Sequence, residues 1–573
     1  MVYSIAIHSG HNSNVCLFKA NQIIEVIAEE KFSNIKDDNS FPKQSIEYLR
    51  KKYKIDNLEY VIFCSKRFWV HEVNKELYTG PPTNRVFFKS LENILNFVKK
   101  RLGYNSYLNK KSLLNGKNFF KNNFDFKVKK FISIDHHKCH AFSAYGFLCN
   151  LNSKYLSIVI DGQGDGKSTS ISLINGNKYE LLSYSNWFNS VGELYSATTK
   201  ALGFKKLQHE YKIMGLAAYS EEKYFSNIYK KIFKKLMYFD QNMGVPKSTI
   251  SSRDFEKYLL SKFKGFRFDS IAGALQKTVE DLVINIFKYW KNKYPDLKII
   301  YSGGVVMNVK INKLLSEKFG DDILFMPSGG DESLSIGAAA YFISKNNDSL
   351  KLPKLTYYGP SFETFEIMDV LNKTNNYSFD IICKSKKNSI SEAANLIAKG
   401  EILCRYSGAT EWGARSLGNR AILADPSNFD SFNKVNNYIK MRDFWMPFAP
   451  TILFEYKDKY LYFYGEQNNK YMVNAFDSTE EGQQKLKAAI HSKDKTVRAQ
   501  ILKEDDNPHY YNLIKKFYEI SGIPALLNTS LNVHGYPLVS SPEQLLFTLE
   551  NSQLDYCLIN DEILIKKVLI NHK

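Results

Sequence analysis

The stretch Tyr3-Ser-Ile-Ala-Ile-His-Ser-Gly-His-Asn12 has a second version further along the chain, Leu156-Ser-Ile-Val-Ile-Asp-Gly-Gln-Gly-Asp-Gly166. Each version is a short apolar strand followed by a polar, glycine-bearing turn, and each leads into a second strand-like run that ends in a turn of its own. A repeat of this kind indicates a duplicated unit, so we expect two similar lobes. Because the repeat is short, chance similarity between two hairpins is the alternative.

Repeated strand-turn-strand units are typical of the actin-like (ASKHA) ATPase fold, in which such turns face a nucleotide or metal between two lobes. The predicted fold class is therefore α/β, with an actin-like duplicated domain over residues 1–345. Residues 346–362 are polar and are broken by Pro353 and Gly359-Pro360, which predicts a linker. Helical and strand-like patterns beyond it predict a second α/β domain over residues 363–573. The segment Tyr456 to Pro508 shows no clear periodicity.

Composition narrows the class of protein. A chain of 573 residues with 44% hydrophobic content can bury several cores. Its net charge of +19 suits nucleic acid, acidic lipid or anionic substrates, but the lysines are scattered, which favours an ordinary solvated surface. The seven cysteines are dispersed without a C-x-x-C pair, so neither a disulfide framework nor a zinc ribbon is indicated. With no signal-peptide pattern and no long apolar run, we expect a cytoplasmic protein without a membrane segment.

Two histidines and two carboxylates are the candidate metal ligands. His136 and His140 are four residues apart, which places them on one face of a helix. Asp161 lies in the second glycine-rich turn, and Asp331 begins a small-residue helix. Taken singly, the histidines could be packing residues and Asp331 a helix N-cap. Together they form a mixed nitrogen and oxygen set that suits Fe(II), Mn(II) or Zn(II).

The glycine-bearing turns suggest further roles. His8 and His11 lie in the first turn, and His11 is our candidate for the base that removes a proton from an acceptor hydroxyl. The run Ser302-Gly-Gly-Val-Val-Met-Asn308 follows an apolar strand and precedes a helix, so its amides could bind a phosphate or ribose. A tight strand-to-helix turn without a ligand is equally consistent with that run.

A set of cations marks the C-terminal part of the chain. Arg415 and Arg420 alternate with glycines, Lys440 and Arg442 follow, and Asn528, Ser530 and Asn532 lie at a strand end. Arginine binds phosphate through two parallel hydrogen bonds and lysine adds a point charge, so the set predicts a pocket for phosphate-bearing anions. Scattered surface cations are the alternative, but the flanking segments are apolar and rigid rather than rich in lysine.

In their order along the chain, these motifs resemble the bacterial O-carbamoyltransferase family of nodulation-factor and antibiotic-tailoring enzymes. The N-terminal lobe is similar to the tRNA threonylcarbamoyltransferase and the C-terminal domain resembles YrdC. The motifs are Gly10-His11, Glu29-Glu-Lys-Phe-Ser, His136-x-x-x-His140, Asp161-Gly-x-Gly-Asp-Gly, Glu210-Tyr-Lys-Ile-Met-Gly-Leu-Ala, Ser302-Gly-Gly-Val, Gly330-Asp331-Glu, Glu411-x-Gly-x-Arg-x-Leu-Gly-Asn-Arg and Asn528-Thr-Ser.

The resemblance implies an ATP-dependent enzyme with two half-reactions. The YrdC-like domain would make carbamoyl adenylate from carbamoyl phosphate and ATP with Mg²⁺, and the metal-bearing domain would pass the carbamoyl group to a hydroxyl of a sugar or natural product. It implies a divalent metal, Fe(II) first and Mn or Zn as alternatives, on His136, His140, Asp161 and Asp331, with His11 as base. It assigns the binding of carbamoyl phosphate and nucleotide in the C-terminal domain to Arg415, Arg420, Lys440, Arg442, Asn528, Ser530 and Asn532. The predicted nucleotide-binding residues of the transfer domain are Lys212, Gly303, Gly304 and Asn308.

Two departures and two rival functions stand beside this interpretation. Met446 takes a position where members of the family usually carry arginine, and Tyr536 one where many are acidic, so donor binding could differ here. A tRNA threonylcarbamoyl-type enzyme is one rival, and a nucleotide-binding protein without activity is the other. The fused C-terminal domain favours a small-molecule acceptor over nucleic acid. A homodimer is expected, with no motif to specify it.

Overall fold

The computed structural model describes residues 2–68, 104–151, 153–346, 356–465 and 469–570. Its first sheet has five strands in the order β3-β2-β1-β4-β5. Strand β1 pairs antiparallel with β2 and parallel with β4. The central residues of β1 are buried, as expected for a strand covered on both faces. The strands are β1 (Tyr3–His8), β2 (Asn14–Lys19), β3 (Gln22–Ala28), β4 (Asn57–Phe63) and β5 (Lys127–Ser133).

The second sheet repeats the first. Its order is β12-β11-β6-β7-β8, in which β6 pairs antiparallel with β7 and parallel with β11, as β1 does with β2 and β4. A separate hairpin, β9-β10, lies between β8 and β11 in the chain. The strands are β6 (Lys154–Gly164), β7 (Lys167–Asn175), β8 (Lys178–Asn186), β9 (Met237–Asp240), β10 (Val245–Ser248), β11 (Ile299–Ser302) and β12 (Ile323–Phe325). The predicted duplication is confirmed by this topology, and His8 and Asp161 occupy equivalent positions in β1 and β6.

Helices of the duplicated region cover these sheets and fill the space between them. They are α1 (Glu30–Ser33), α2 (Lys43–Tyr53), α3 (Tyr104–Asn123), α4 (His136–Leu148), α5 (Val191–Ala201), α6 (Glu210–Ala217), α7 (Glu222–Ile228), α8 (Lys234–Leu236), α9 (Phe255–Lys262), α10 (Phe268–Lys293), α11 (Val309–Phe319) and α12 (Leu334–Asn346). Helix α4 packs on the second sheet, α12 packs on the first, and the two helices pack on each other. One core therefore runs from sheet to sheet through Phe142 and Ile336.

The C-terminal part is a mixed sheet of eight strands in the order β13-β23-β22-β14-β15-β21-β16-β20, with a small sheet β17-β18-β19 beside it. The strands are β13 (Tyr377–Cys383), β14 (Leu403–Tyr406), β15 (Arg420–Ala424), β16 (Ala449–Leu453), β17 (Leu461–Tyr462), β18 (Phe476–Ser478), β19 (Thr496–Val497), β20 (Gln500–Leu502), β21 (Ala525–Ser530), β22 (Tyr556–Ile559) and β23 (Ile563–Leu569).

Helices cover both faces of the large sheet. Helices α14 and α18 belong to one apolar core, and α13 and α19 belong to the core on the other face. The helices are α13 (Thr364–Leu371), α14 (Lys386–Ala398), α15 (Phe429–Val435), α16 (Lys457–Tyr460), α17 (Glu480–Lys485), α18 (Pro508–Ser521) and α19 (Pro542–Glu550). The prediction of a second α/β unit is confirmed.

The proposed domain boundaries stay a prediction, because residues 347–355 of the proposed linker lie outside the described residues. Side-chain contacts join the duplicated region to the C-terminal part of the chain. Trp412 Nε1 donates to the carbonyl of Glu332 over 2.9 Å, and the Lys212 ammonium lies 3.0 Å from the Asp443 carboxylate. In the described part of the chain, no helix is both long and apolar enough to cross a membrane.

Candidate metal centre and anion pocket

The four predicted metal ligands come together. One ligand atom from each of His136, His140, Asp161 and Asp331 can be chosen so that all four lie within 4.8 Å of one another. Two of these residues come from α4, one from the end of β6, and one from the turn before α12. The predicted convergence of sequence-distant residues is therefore present, while their role as ligands stays a prediction.

Helix α4 begins in a way that orients the two histidines. Asp135 is its N-cap, and its carboxylate accepts from the Lys138 amide at 3.2 Å. Asp165, from the second glycine-rich turn, accepts from the amide of His136 at 2.8 Å and from Ser65 Oγ at 2.7 Å. The helix start is thus fixed by two carboxylates that the exposed amides of a helix N-terminus attract.

The two candidate carboxylate ligands are also held by the residues around them. Asp161 accepts from the amide of Gly304 at 2.9 Å, and Asn14 Nδ2 donates to the carbonyl of Asp331 at 3.0 Å. Glycine is required at position 164, because a Cβ there would lie 2.1 Å from the His136 ring. These contacts supply the outer shell that orients metal ligands in proteins.

The donor atoms fit a divalent transition-metal ion. His140 Nε2 lies 3.2 Å from His136 Nε2 and 3.3 Å from Asp331 Oδ1, and His136 Nε2 lies 3.4 Å from Asp161 Oδ2. Metal–ligand bonds of about 2.1 Å place neighbouring donors about 3.0 to 3.4 Å apart, so these separations match the edges of a coordination shell. Two imidazoles with two carboxylates suit Fe(II), Mn(II) or Zn(II) better than Mg²⁺ or Ca²⁺, which favour oxygen.

The imidazoles and carboxylates of the cluster stabilise one another's charged forms against the effect of burial. Burial by itself would lower the pKa of His136, but the carboxylates of Asp331 and Asp161 outweigh it and raise that pKa to about 9. Burial likewise opposes ionisation of Asp161, yet the His136 and His140 imidazoles hold its pKa well below the ordinary value. One buried and one partly buried carboxylate next to two imidazoles make a centre that attracts a cation.

The His8 ring lies at the cluster, whereas the role of His11 as base stays a prediction. His8 Nε2 lies 3.6 Å from Asp331 Oδ2 and 3.0 Å from the carbonyl oxygen of His11. Burial lowers the pKa of His8 to about 4, so its ring is neutral near pH 7. The His11 side chain is only half-buried. His8 is thus a candidate that the sequence left open, and its alignment with Asp161 at matching strand ends was the available signal.

The predicted anion pocket contains two arginines whose Nε atoms have no partner among the described residues. The Nε atoms of Arg415 and Arg498 are buried and have no hydrogen-bond partner among the described residues. Burial lowers the pKa of Arg415 to about 10, against the opposing effect of Glu332. Burial together with Arg415 and Arg442 lowers the pKa of Arg498 well below its ordinary value. Cations that repel one another in a buried place favour a bound anion.

Arg498 was missed in the sequence because it lies between β19 and β20, within the segment that showed no periodicity. Arg442 shares the pocket, donates to Thr529 Oγ1 at 3.1 Å, and has its guanidinium 4.9 Å from the Phe448 ring. The predicted Arg415 and Arg442 are therefore brought together, with Arg498 as an unpredicted third member.

Lys440, Ser530 and Asn532 form one unit. The Lys440 ammonium donates to Ser530 Oγ at 3.2 Å and to the carbonyl of Asn532 at 2.9 Å, and it also contacts the carbonyl of Ser530 and the side chain of Asn532. Burial and the nearby Arg442 and Lys36 lower the pKa of Lys440 well below its ordinary value. With four protein oxygens around it, Lys440 orders this strand end as well as adding charge.

Arg420 and Asn528 have structural partners. The Arg420 guanidinium donates to the carbonyls of Ser407 at 2.7 Å and Gly408 at 2.9 Å, and it stacks 3.7 Å from the Tyr406 ring. Asn528 donates to Thr451 Oγ1 at 3.1 Å. Like Lys440, these two predicted anion contacts therefore bond to the protein itself, although Arg420 Nε is buried without a partner among the described residues.

The predicted nucleotide residues of the first domain also have local partners. Gly303 has φ of +91°, and Gly304 gives its amide to Asp161. Asn308 caps α11 by accepting from the Ile311 amide at 3.2 Å. Lys212 pairs with Asp443 across the two parts of the chain. Their nucleotide role stays a prediction.

Both departures from the family pattern can be located. Met446 is buried, and its sulfur would lie 3.3 Å from a Cβ at Gly215 in α6, so it packs between the two parts of the chain. Tyr536 is partly exposed, its ring centre lies 5.1 Å from that of Phe547 in a tilted arrangement, and its carbonyl accepts from Asn532. Neither side chain supplies a charge.

An α/β protein that combines a candidate divalent metal centre with an anion pocket is of the class suited to group transfer from phosphate compounds. Family models agree: residues 4–340 match the carbamoyltransferase N-terminus and residues 394–567 match the carbamoyltransferase C-terminus. The chain belongs to the carbamoyltransferase family and is a carbamoyltransferase.

Relatives cover nearly the whole chain. An uncharacterized protein of Methanocaldococcus jannaschii is 30% identical over 98% of this chain and 99% of its own length. The nodulation protein NolNO of Sinorhizobium fredii is 25% identical over 97% of this chain and 79% of its own length. Among solved structures, full-length HypF in its phosphate- and nucleotide-bound form covers 60% of this chain and 46% of its own, at 14% identity and a TM-score of 0.35, a likeness too slight to add to the topology.

Proposed function

We propose that this carbamoyltransferase makes carbamoyl adenylate in its C-terminal part and transfers the carbamoyl group at the metal centre to a hydroxyl of a small metabolite, such as a sugar or natural product. The observation that carries the proposal is the direct contact between the loops that bear the two sites. Trp412, three residues before Arg415, donates to the carbonyl of Glu332, the residue after Asp331. A Cβ at Gly413 would lie 2.5 Å from Ser328 Oγ, so the loops touch.

The first half-reaction would consume two phosphate compounds. Water would first break the carbamoyl–phosphate linkage of carbamoyl phosphate, which gives carbamate and phosphate. A carbamate oxygen would then bond to Pα of ATP while the Pα–O bond to pyrophosphate breaks, which gives carbamoyl adenylate and pyrophosphate. Carbamoyl phosphate and ATP both carry negatively charged phosphate groups, so this charge must be neutralised for the two to react. Arg415, Arg442 and Arg498 would do so, since they form no ion pair with a carboxylate in the described ranges. Forked guanidinium donors are suited to this task.

Lys440 would act mainly as an organiser of this pocket. Its ammonium holds Ser530 and Asn532, and through them the end of β21 next to Arg442. The charge of Lys440 adds to the field of the arginines. A bound anion would relieve the repulsion that lowers the pKa of these groups.

The second half-reaction would take place beside the four ligand residues. The acceptor hydroxyl attacks the carbamoyl carbon, the carbon–oxygen bond to AMP breaks, and the hydroxyl proton leaves. His136, His140, Asp161 and Asp331 would hold a divalent ion, which supplies Lewis-acid polarisation of the carbonyl when bound. His11 would take the proton. His8, neutral and hydrogen-bonded to the His11 carbonyl, would keep that turn in place.

Pyrophosphate release tests the proposal. Wild-type protein with ATP and Mg²⁺ is expected to release pyrophosphate only when carbamoyl phosphate is present. His11→Asn should keep that release and lose carbamoyl transfer to sugar or antibiotic acceptors, measured as a mass increase of one carbamoyl group. Arg415→Ala should lose both. Release that does not depend on carbamoyl phosphate, or none at all, would remove the adenylate step from the proposal.

Lys440→Ala and Lys434→Ala form a matched pair for this experiment. Both lysines lie near the end of α15, but Lys434 donates to the carbonyl of Gly400 at the surface, away from the arginines. We expect loss of pyrophosphate release for Lys440→Ala and wild-type release for Lys434→Ala. Equal activity of the two variants would contradict the role given to Lys440.

A further inference from the structure

Helix α6 of the first domain reaches the anion pocket of the C-terminal part. The Lys212 ammonium lies 3.0 Å from the Asp443 carboxylate, and Trp445 Nε1 donates to the Lys212 carbonyl at 3.1 Å. Asp443 directly follows Arg442 in the chain. The first turn of α6 is therefore fixed against the segment that carries one of the pocket arginines.

Tyr211 directly precedes Lys212 in that turn and points its ring among cations. The Lys36 ammonium lies 5.9 Å from the centre of the Tyr211 ring. Lys36 in turn contributes to the positive field at Lys440. Arg415 and Arg442 both interact electrostatically with the Tyr211 phenol. Tyr211 therefore lies beside the cations of the pocket.

The Tyr211 hydroxyl is available for a ligand. It is half-buried, and it has no hydrogen-bond partner among the residues that the structure describes. The Tyr211 phenol cannot donate to Arg415, whose Nε is buried without a partner, or to Arg442, because guanidinium groups are donors only. An anion placed between them would accept from both.

We propose that the Tyr211 hydroxyl donates a hydrogen bond to a phosphate oxygen of a donor substrate, so that the first domain supplies part of the anion pocket. The inference rests on the proposed function and extends it: the adenylate-forming site is shared between the two parts of the chain. Carbamoyl phosphate and ATP both carry phosphate, so the oxygen that accepts from the Tyr211 hydroxyl belongs to one of these two substrates.

Steady-state pyrophosphate release by Tyr211→Phe tests this assignment. Phenylalanine keeps the ring and removes only the hydroxyl. A hydrogen bond to a charged group is expected to change the KM by about 10-fold or more when it is lost. Carbamoyl phosphate is varied at saturating ATP, and ATP is varied at saturating carbamoyl phosphate. The KM should rise in at least one series, which identifies the phosphate contacted, while kcat changes less.

Tyr219→Phe is the matched control. Its hydroxyl bonds Ser492 at the same junction of the two parts, but in contact with His491 rather than with the arginines. It should show wild-type KM values in both series. Thermal unfolding of both variants, within about 2 °C of wild type, shows that the fold is kept.

The outcomes separate the inference from the proposed function. Absence of carbamoyl-phosphate-dependent release in the wild type is a failure of the proposed function. Release in the wild type with unchanged KM values for Tyr211→Phe overturns the shared pocket alone. Equal KM increases for Tyr211→Phe and Tyr219→Phe also overturn it, because they would report a general effect of the junction.

Discussion

Replacing Gly337 by alanine tests whether direct packing of α12 positions the helix that carries the candidate metal ligands His136 and His140. Gly337 lies in the first turn of α12, against α4. A Cβ at this position would lie 1.8 Å from the carbonyl oxygen of Cys139 and 2.6 Å from its carbonyl carbon. Cys139 stands between His136 and His140, so any movement that relieves the clash moves the candidate ligands.

The size of the effect follows from those distances. Since Cβ atoms do not approach other heavy atoms closer than 3.0 Å, the two helices must separate by 3.0 − 1.8 = 1.2 Å or distort. The obstructing atoms are backbone, so no side-chain rotation relieves them. Overpacking of a core costs about 1–3 kcal/mol and occasionally more, and a backbone clash belongs at the upper end. We expect the free energy of unfolding to fall by about 3 kcal/mol or more.

Urea unfolding and metal binding measure the two consequences. Gly337→Ala should unfold at clearly lower urea, and should bind Mn²⁺ more weakly in anaerobic titration calorimetry. Gly162→Ala is the control, because a Cβ at Gly162 would have its nearest neighbour, a Glu193 carboxylate oxygen, at 3.8 Å. If Gly337→Ala keeps the wild-type urea midpoint, the argument that this contact positions α4 is refuted.

Three further predictions concern the C-terminal part and the metal. Arg405 and Asp561 form a fully buried ion pair in which Nη2 lies 2.6 Å from Oδ2. In urea titrations, Arg405→Ala should therefore lower the free energy of unfolding by about 3–5 kcal/mol, because it leaves the Asp561 charge buried without a partner. The double variant with Asp561→Ala should recover part of that loss. Burial opposes ionisation of Asp561, but Arg405 lowers the pKa of Asp561 below its usual value. The stability that this ion pair contributes is therefore present above a pH of about 4 and is lost as the pH falls further. In an acid titration, the double variant should lack this pH-dependent loss of stability. Arg498→Ala should raise the KM of a phosphate substrate at least about 10-fold in pyrophosphate release, and a wild-type KM would count against its place in the pocket. After removal of all metal with a chelator, return of Mg²⁺ alone should restore pyrophosphate release but not carbamoyl transfer. Transfer should need Mn²⁺ or Fe²⁺, because imidazole ligands disfavour Mg²⁺. Transfer with Mg²⁺ alone would contradict the four-residue metal centre.

Local pattern was enough to predict much of the fold. The apolar runs at Tyr3 and Leu156 are β1 and β6, and their glycine turns mark the duplication seen in the two sheets. The segment Tyr456 to Pro508 gave no pattern because its strands have only two or three residues and its helices four or six. Elements that short do not complete a hydrophobic period.

Some of the candidate site residues could be predicted from the sequence and others could not. His136 and His140 could be paired from sequence because helical spacing is a local property, and Asp161 because it follows a predicted strand. Arg498 and Tyr211 could not be found, because each lies near the anion pocket only through long-range contacts. Arg420 was predicted to bind anions from its motif, whereas the structure gives its guanidinium the carbonyls of Ser407 and Gly408.

The sequence by itself determined the kind of chemistry: two glycine turns, a histidine pair and a set of arginines, each set by spacing along a few residues. Only the tertiary structure decided which of these groups share a site. It placed His8 at the Asp331 carboxylate and added Arg498 to the pocket. The physical reason is that electrostatic and hydrogen-bonding partners are chosen by distance in space, and packing of sheets and helices brings together residues hundreds of positions apart.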